Sequence, residues 1–156
     1  KVKLRVATKD DLLFINGIIE AAVMSWALPE RVKRLSMPGY RYDAAAFESV
    51  DMQLASDADG DIVGVVAWCE PDESTALEDR KALLLHGVFV DTPSHRQGVG
   101  RKLVDAALAQ AKEKSLDGLL VHAQPDALAF FQALEFEQLP IVDEETDYKH
   151  RYWHAC

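Results

Sequence analysis

Midway along the chain an apolar run, KALLLHGVFV (residues 81–90), leads through DTPSHRQGVGRK into an amphipathic stretch and then into a second apolar run, LLVHA, from Leu119. Between them Leu103, Val104, Ala107, Leu108 and Ala111 recur at helical spacing, which predicts a helix with one core-facing stripe. Two strands joined through a helix must run parallel, because only a crossover of that length can return the chain to the same edge. This one unit excludes an all-helical fold and a purely antiparallel one.

The flanks read differently. Val2, Leu4 and Val6 alternate with charged residues and predict a strand. Thr8 and Asp11 form a helix-start pair ahead of Ile15, Ile18, Ile19, Ala22, Val23 and Trp26 at helical spacing. A second, short helix is expected in LPERVKRL with Pro29 in its first turn, before the breaker-rich SMPGYRYD, which reads as an irregular connection. Val50, Met52 and Leu54 alternate, DADGD turns, and IVGVVAWCE continues, so residues 48–70 read as a hairpin. Asp117 and Gly118 turn the chain into LLVHAQ, and Pro125 opens a helix with Ala127, Phe130, Phe131 and Leu134 on one face. The ending reads as two strands around an acidic turn. The expectation is one α/β (α+β) domain over residues 1–156, with a mixed, mostly antiparallel sheet around a central parallel pair and helices on both of its faces. At 156 residues such a chain buries roughly 70% of its unfolded surface.

Charge and composition narrow the function classes. The formal net charge is −9, so a nucleic-acid surface would have to work against the global field, and no nucleic-acid partner is expected. No run approaches the ~18 apolar residues of a membrane span, and no membrane partner is expected. Cys69 and Cys156 are too few for a disulfide scaffold, which points to a reducing cytoplasm. A homodimer is left open.

The glycine segment carries chemistry. Glycines between a strand and a helix expose backbone N–H groups that the helix cannot satisfy, at the positive end of its dipole. Gly98 and Gly100 leave room for a phosphate against the main chain, and Arg96, Arg101 and Lys102 add positive charge. A plain strand-to-helix turn with a solvated basic rim remains the alternative. The string G-x-x-x-x-G-K-[ST] is absent, and GVGRKL lacks the third glycine of the dinucleotide fingerprint, so neither nucleotide fold fits.

The segment HRQGVG resembles the Q/R-x-x-G-x-G/A loop of the GCN5-related N-acetyltransferase (GNAT) superfamily. Val90 falls where that family closes its fourth strand, and DALAFFQALEF resembles its later A-x-x-F-Y-x-x-x-G-F helix. Matching at the level of motifs runs over about residues 84–136. The resemblance implies a sheet splayed between its fourth and fifth strands and acetyl-coenzyme A as co-substrate, with no metal. The main chain of Val88, Phe89 and Val90 would pair with the pantetheine amides, and the turn of His95, Arg96, Gln97, Gly98, Val99, Gly100 and Arg101 would hold the pyrophosphate. It also implies acetyl transfer to a primary amine of a small-molecule acceptor by direct attack in a ternary complex. The chain departs from the pattern in several places. His95 opens the loop in place of Gln or Arg, and Pro93 is shifted by one with Thr92 in its usual place. Gln124 stands for an Asn and Glu135 for a Gly. Phe131 stands where many members carry the Tyr that protonates the leaving thiolate, although both Gln124 and Phe131 keep their places beside the coenzyme. A coenzyme A-binding module without turnover is therefore the competing reading.

An alkyl amine arrives protonated, with a pKa near about 10, so a base is needed. The resemblance points to His86, four residues before Val90, where arylalkylamine N-acetyltransferases carry a functional His; a hydrogen-bonded core His is the alternative. His122 reads as structural and Glu70 as an exposed loop carboxylate. Tyr148 or Tyr152, read as part of the C-terminal strand, are the candidates for protonating the thiolate, with bulk water as a third source. His150 and His154 would share a helical face, yet YKHRYWH alternates like a strand, which argues against a metal pair. Trp26, Tyr40 and Tyr42 fall in the region that this superfamily uses to shape its acceptor pocket, or are packing. The acceptor amine itself is not readable.

Overall fold

The first helix is fixed by a single carboxylate. In the computed structural model, which describes residues 2–94, 97–145 and 147–156, Asp11 accepts from the Thr8 amide at 2.8 Å and from Arg5 through two N–H···O bonds of 2.9 and 2.8 Å. Asp11 is buried, and the Arg5 guanidinium beside it holds its carboxyl down at about 2. The expected Thr8/Asp11 pair thus starts a short 3-10 turn, Lys9–Asp11, that runs directly into α1 (Leu12–Met24).

The strands are β1 (Lys3–Val6), β2 (Asp51–Ser56), β3 (Ile62–Cys69), β4 (Ala82–Val90), β5 (Gly118–His122), β6 (Glu137–Gln138) and β7 (Arg151–Ala155). They form a seven-stranded sheet in the order β1-β2-β3-β4-β5-β7-β6. The sheet is mixed: β4 and β5 pair in parallel, while β1–β2, β5–β7 and β6–β7 are antiparallel. The helices α2 (Glu30–Tyr40), α3 (Val99–Glu113) and α4 (Leu128–Ala133) complete the order expected from the sequence. No helix among the described residues is long and apolar enough to cross a membrane. The chain divides into two compact units, Lys1–Ala67 with Gly87–Val104, and Trp68–His86 with Asp105–Cys156.

In the first unit, α1 buries Ile15, Ile18, Ile19 and Val23, the stripe read from its spacing. The second helix corrects the reading of its neighbour. SMPGYRYD is not irregular from its start, because α2 runs through Pro38 and Gly39 to Tyr40. Pro38 removes one backbone donor, but Met37 beside it is buried and the Arg41 amide closes on the Met37 carbonyl at 3.2 Å. One turn earlier the buried Lys33 donates its Nζ to the Met24 carbonyl at 2.6 Å, which satisfies the end of α1 and fastens the two helices together. A 3-10 turn over Ala44–Glu48, capped by the Asp43 carboxylate on the Ala46 amide at 3.0 Å, has no counterpart in the sequence reading.

The hairpin forms as expected. Asp57 Oδ1 accepts from the amides of Asp59 and Asp61 at 2.9 and 3.0 Å, and Gly60 takes φ +86°, the left-handed conformation that glycine adopts without steric cost. Gly64 in β3 serves a different purpose. A Cβ built there would lie 2.9 Å from Leu103 Cδ1, 3.1 Å from Val99 Cγ1 and 3.3 Å from the Phe89 carbonyl oxygen. The bare backbone of β3 is what lets the first turns of α3 come down onto the sheet.

In the second unit the parallel ladder runs from Ala82↔Gly118 to Leu85↔Val121. Asp117 fixes its register: its carboxylate accepts from the Lys81 amide at 2.7 Å, its own amide donates to the Lys81 carbonyl at 2.8 Å, and its carbonyl accepts from Cys156 at 2.9 Å. Ala82, Leu120, Leu139 and Trp153 form a core cluster packed against Leu77 and Leu84, and the Arg80 guanidinium lies 5.0 Å over the Trp153 ring.

Candidate active site

The end of β4 and the start of α3 build one continuous feature in the first unit. Val88, Phe89 and Val90 are half-buried, and by strand alternation Val88 and Val90 share one face while Gly87 and Phe89 share the other. Beyond Val90 the Asp91 amide donates to the Val63 carbonyl at 2.8 Å, pinning the strand end, and Ser94 donates to the Asp91 carbonyl at 2.8 Å, turning the chain. His95 and Arg96, both expected to contribute to the cradle, lie outside the described residues. Gln97 follows, exposed, with its Nε2 donating to the Pro93 carbonyl at 3.2 Å.

Gly98 takes φ +79°, and a Cβ built on it would meet nothing within 4 Å. The backbone there is turned into a conformation that costs other residues roughly 1–2 kcal/mol, and the space in front of it is open. The Lys102 amide closes on the Gly98 carbonyl at 3.1 Å, so the amides of Val99, Gly100 and Arg101 fall in the turn whose N–H groups an α-helix cannot satisfy itself. Val99 and Leu103 are 1% and 0% exposed against Gly64, which anchors this terminus, while Arg101 and Lys102 stand exposed at its rim. A rigid helix N-terminus, an open glycine and two exposed cations suit a diphosphate.

A second arrangement in the same unit was not legible. Tyr42, buried, is held by Asn16 of α1: the Asn16 Oδ1 accepts from the Tyr42 amide at 2.9 Å and its Nδ2 donates to the Tyr42 carbonyl at 2.8 Å. The Tyr42 hydroxyl reaches β4, where a Cβ on Gly87 would lie 3.1 Å from Tyr42 Oη and 2.9 Å from Phe89 Cε2. The signals that could have revealed it are an asparagine among the isoleucines of α1 and a glycine inside an apolar strand. Trp26 and Tyr40 pack edge to face at 5.1 Å.

The second unit holds the remaining candidates. His86 lies on β4 and is exposed, yet enough protein surrounds it that burial lowers its pKa below the ordinary value. Burial likewise lowers His122, assisted by the Arg151 cation and opposed by Asp72. Tyr148 does not belong to the C-terminal strand. It precedes β7, its ring stacks on His122 at 4.8 Å with the planes 2° apart, and its hydroxyl donates to the Ala123 carbonyl at 3.1 Å. Desolvation raises the Tyr148 pKa. His150 stands edge-on to Tyr148 at 6.2 Å; among the described residues neither His122 Nε2 nor His150 Nδ1, both buried, has a hydrogen-bond partner. His154 lies on β7 and His150 ahead of it, so the two share no helical face.

Gln124 precedes the Pro125–Ala127 turn as its cap, with its carbonyl accepting from Ala127 at 2.8 Å. Phe131 is buried, its ring 5.0 Å from Phe130 and 5.2 Å from Phe136 in edge-to-face contacts. Tyr152 is buried in β7 and its hydroxyl accepts from Gln132 Nε2 at 3.3 Å. Glu70 is exposed just past β3.

A mixed sheet with one parallel pair, followed by a strand-to-helix turn with a left-handed glycine just before the helix N-terminus, defines an open α/β fold. The sequence profile of the acetyltransferase (GNAT) family matches residues 21–136, and the chain belongs to that family. No curated protein matches the chain. Solved structures share the fold. A GNAT family acetyltransferase from Brucella melitensis in complex with acetyl-CoA aligns at TM-score 0.66 and 18% identity, over 99% of this chain and 88% of that one. The PaiA N-acetyltransferase from Thermoplasma acidophilum in complex with coenzyme A aligns at 0.69 and 12%, over 98% and 96%. The AAC(6')-Iy structure in complex with the bisubstrate analogue CoA-S-monomethyl-acetylneamine aligns at 0.65 and 19%, over 92% and 95%.

Proposed function

We propose that the protein is an acetyl-coenzyme A-dependent N-acetyltransferase that acetylates the primary amine of a small molecule by direct attack within a ternary complex. The observation that carries this reading is Gly98, at φ +79° with open space before it and the N-terminus of α3 behind it. The pyrophosphate of the co-substrate would be held by amides from Gln97 to Arg101, together with His95 and Arg96, and the pantetheine arm by the main chain of Val88, Phe89 and Val90.

In this reading His86 takes the proton that the amine must lose. Its lowered pKa keeps the imidazole neutral, and so able to accept, at neutral pH. Tyr148 has its O–H engaged by the Ala123 carbonyl, so it can protonate the departing sulfur only by exchanging that bond. A thiolate of pKa near about 8.5 leaves tolerably without a proton. The net charge of −9 favours a cationic amine in the encounter, weakly at physiological salt.

The test is to incubate the protein with acetyl-coenzyme A and a panel of primary amines while following free thiol, and to record thermal stabilisation by the coenzyme in parallel. Amine-dependent thiol release is the expected result. Stabilisation without release from any amine would replace the transferase by a coenzyme A-binding module, the reading that Phe131 favours. No stabilisation would remove both.

A further inference from the structure

The end of β5 is closed by residues on the approach to β7. The Tyr148 ring lies flat on His122 at 4.8 Å with the planes 2° apart, and its hydroxyl donates to the Ala123 carbonyl at 3.1 Å. Two residues on, the His150 carbonyl accepts from the Ala123 amide at 2.9 Å. Both backbone groups of Ala123 are thus held by this one approach. Asp147 steadies it, since its carboxylate accepts from the amides of Val142 and Asp143 at 2.9 and 3.0 Å and from Arg151 at 3.2 Å. Tyr148 is the part of this closure nearest to water, with 37% of its surface exposed.

The closure covers a histidine that has no place for a charge. An imidazolium carries N–H on both ring nitrogens, and His122 Nε2 is buried with no hydrogen-bond partner among the described residues. Arg151 stands opposite His122 in the β5–β7 register, so a charge there faces a like charge. Asp147 is already taken up by Arg151 and two amides. Asp72, in the β3–β4 loop, attracts the charge, but it is exposed and accepts from the Ser74 hydroxyl and from the Thr75 amide and hydroxyl at 2.7, 2.9 and 3.0 Å. On the other flank the β4–β5 register ends at Leu85↔Val121, and next in line on β4 is His86, a second group that gains positive charge in acid. His150, edge-on to Tyr148 at 6.2 Å, brings no negative charge either. The Tyr148 ring face attracts a cation, yet the balance is against one: burial first and Arg151 second hold the His122 pKa below its ordinary value. Because Tyr148 covers one whole face of the imidazole, its departure is what returns water to that ring.

We propose that Tyr148 is an acid-released latch, which closes the end of β5 at neutral pH and is freed, opening Ala123 to solvent, when His122 takes up a proton. This device stands independently of the transferase reading above. An open, hydrated imidazole titrates near 6.5 while the closed one refuses the proton, so the open form gains up to about tenfold on going from pH 7.5 to 5.5.

Native-state hydrogen exchange at the Ala123 amide reads the latch, each rate being compared with that of an unstructured peptide at the same pH. Between pH 7.5 and 5.5 the protection of Ala123 should fall by at least about threefold. Its exchange should also ignore low urea, unlike that of Leu120 in the middle of β5, which waits for unfolding. His122→Gln keeps a neutral polar side chain and removes the titration, so its Ala123 protection should change by less than about threefold over the same range. A smaller fall in the wild type, an Ala123 amide that follows urea as Leu120 does, or a His122→Gln protein with the wild-type fall each overturns the proposal. If His122→Gln does not fold, Tyr148→Ala decides. Without the latch, Ala123 at pH 7.5 should be no better protected than in the wild type at pH 5.5; wild-type protection at pH 7.5 overturns the assignment.

Discussion

Asn16 and Tyr42, 26 residues apart, are joined by two hydrogen bonds of 2.8 and 2.9 Å between one side-chain amide and both backbone groups of the tyrosine. A side chain that mimics a peptide unit in this way does for a loop what a neighbouring strand would do. It satisfies a donor and an acceptor that partial burial has taken from water.

Asn16→Ala should therefore destabilise the protein by about 1–3 kcal/mol, the cost of stranding polar groups in a half-buried place. Urea unfolding with an unchanged m-value checks it. A loss below about 0.5 kcal/mol would mean that water replaces the amide freely.

Two glycines on the path to the cradle should fail in different ways. Gly98→Ala meets open space but must hold φ +79°, at a cost of roughly 1–2 kcal/mol. Its sharper effect is on the coenzyme-induced rise in melting temperature, which should shrink or vanish. Gly64→Val pushes into Leu103 and Val99 and should cost about 1–3 kcal/mol by overpacking. Melting curves with and without coenzyme A separate the two, and equal behaviour would contradict this division of roles.

The histidines set one acid limb of stability. The pKa values of His86 and His122 are both lowered from 6.5 in the folded protein, so below that pH the unfolded chain binds protons that the folded chain refuses, and stability falls as pH drops. His122→Phe keeps a ring against Tyr148 and removes one titration. The slope of stability against pH between about 6.5 and 5 should flatten, and an unchanged slope would exclude His122 from this limb.

Asp11 sets a second limb at lower pH. Its carboxyl is lowered from 3.8 to about 2, so its contribution is intact above 3.8 and is lost as pH falls toward 2. Because Arg5 is half exposed, the contribution is about 1–2 kcal/mol rather than the full value of the shift. Asp11→Asn should bring that loss to neutral pH and make stability less sensitive to pH below 3.8.

The element order was legible because each strand and helix carried its own period, and the central β4–α3–β5 unit left one topology. The course of α2 was not, since Pro38 and Gly39 are local breakers whose effect is overridden by the burial of Met37 and Lys33, a tertiary matter. Within the candidate site the open turn at Gly98 could be read because glycines, unlike most residues, declare their backbone. Tyr148 was read into the strand from alternation alone, when the pairing of β7 with β5 reaches only to Arg151. The place of Tyr42 depends on Asn16 and Gly87, residues distant in the chain whose meeting no spacing rule encodes.

Gly64 gives the helix terminus a foundation that does not depend on ligand. Because Val99 and Leu103 already rest on bare β3 backbone, the amides beyond Gly98 are aimed before anything arrives. Little ordering of the α3 terminus remains to be done on association, and the entropy that a floppy phosphate loop would surrender at each encounter has been spent once, during folding.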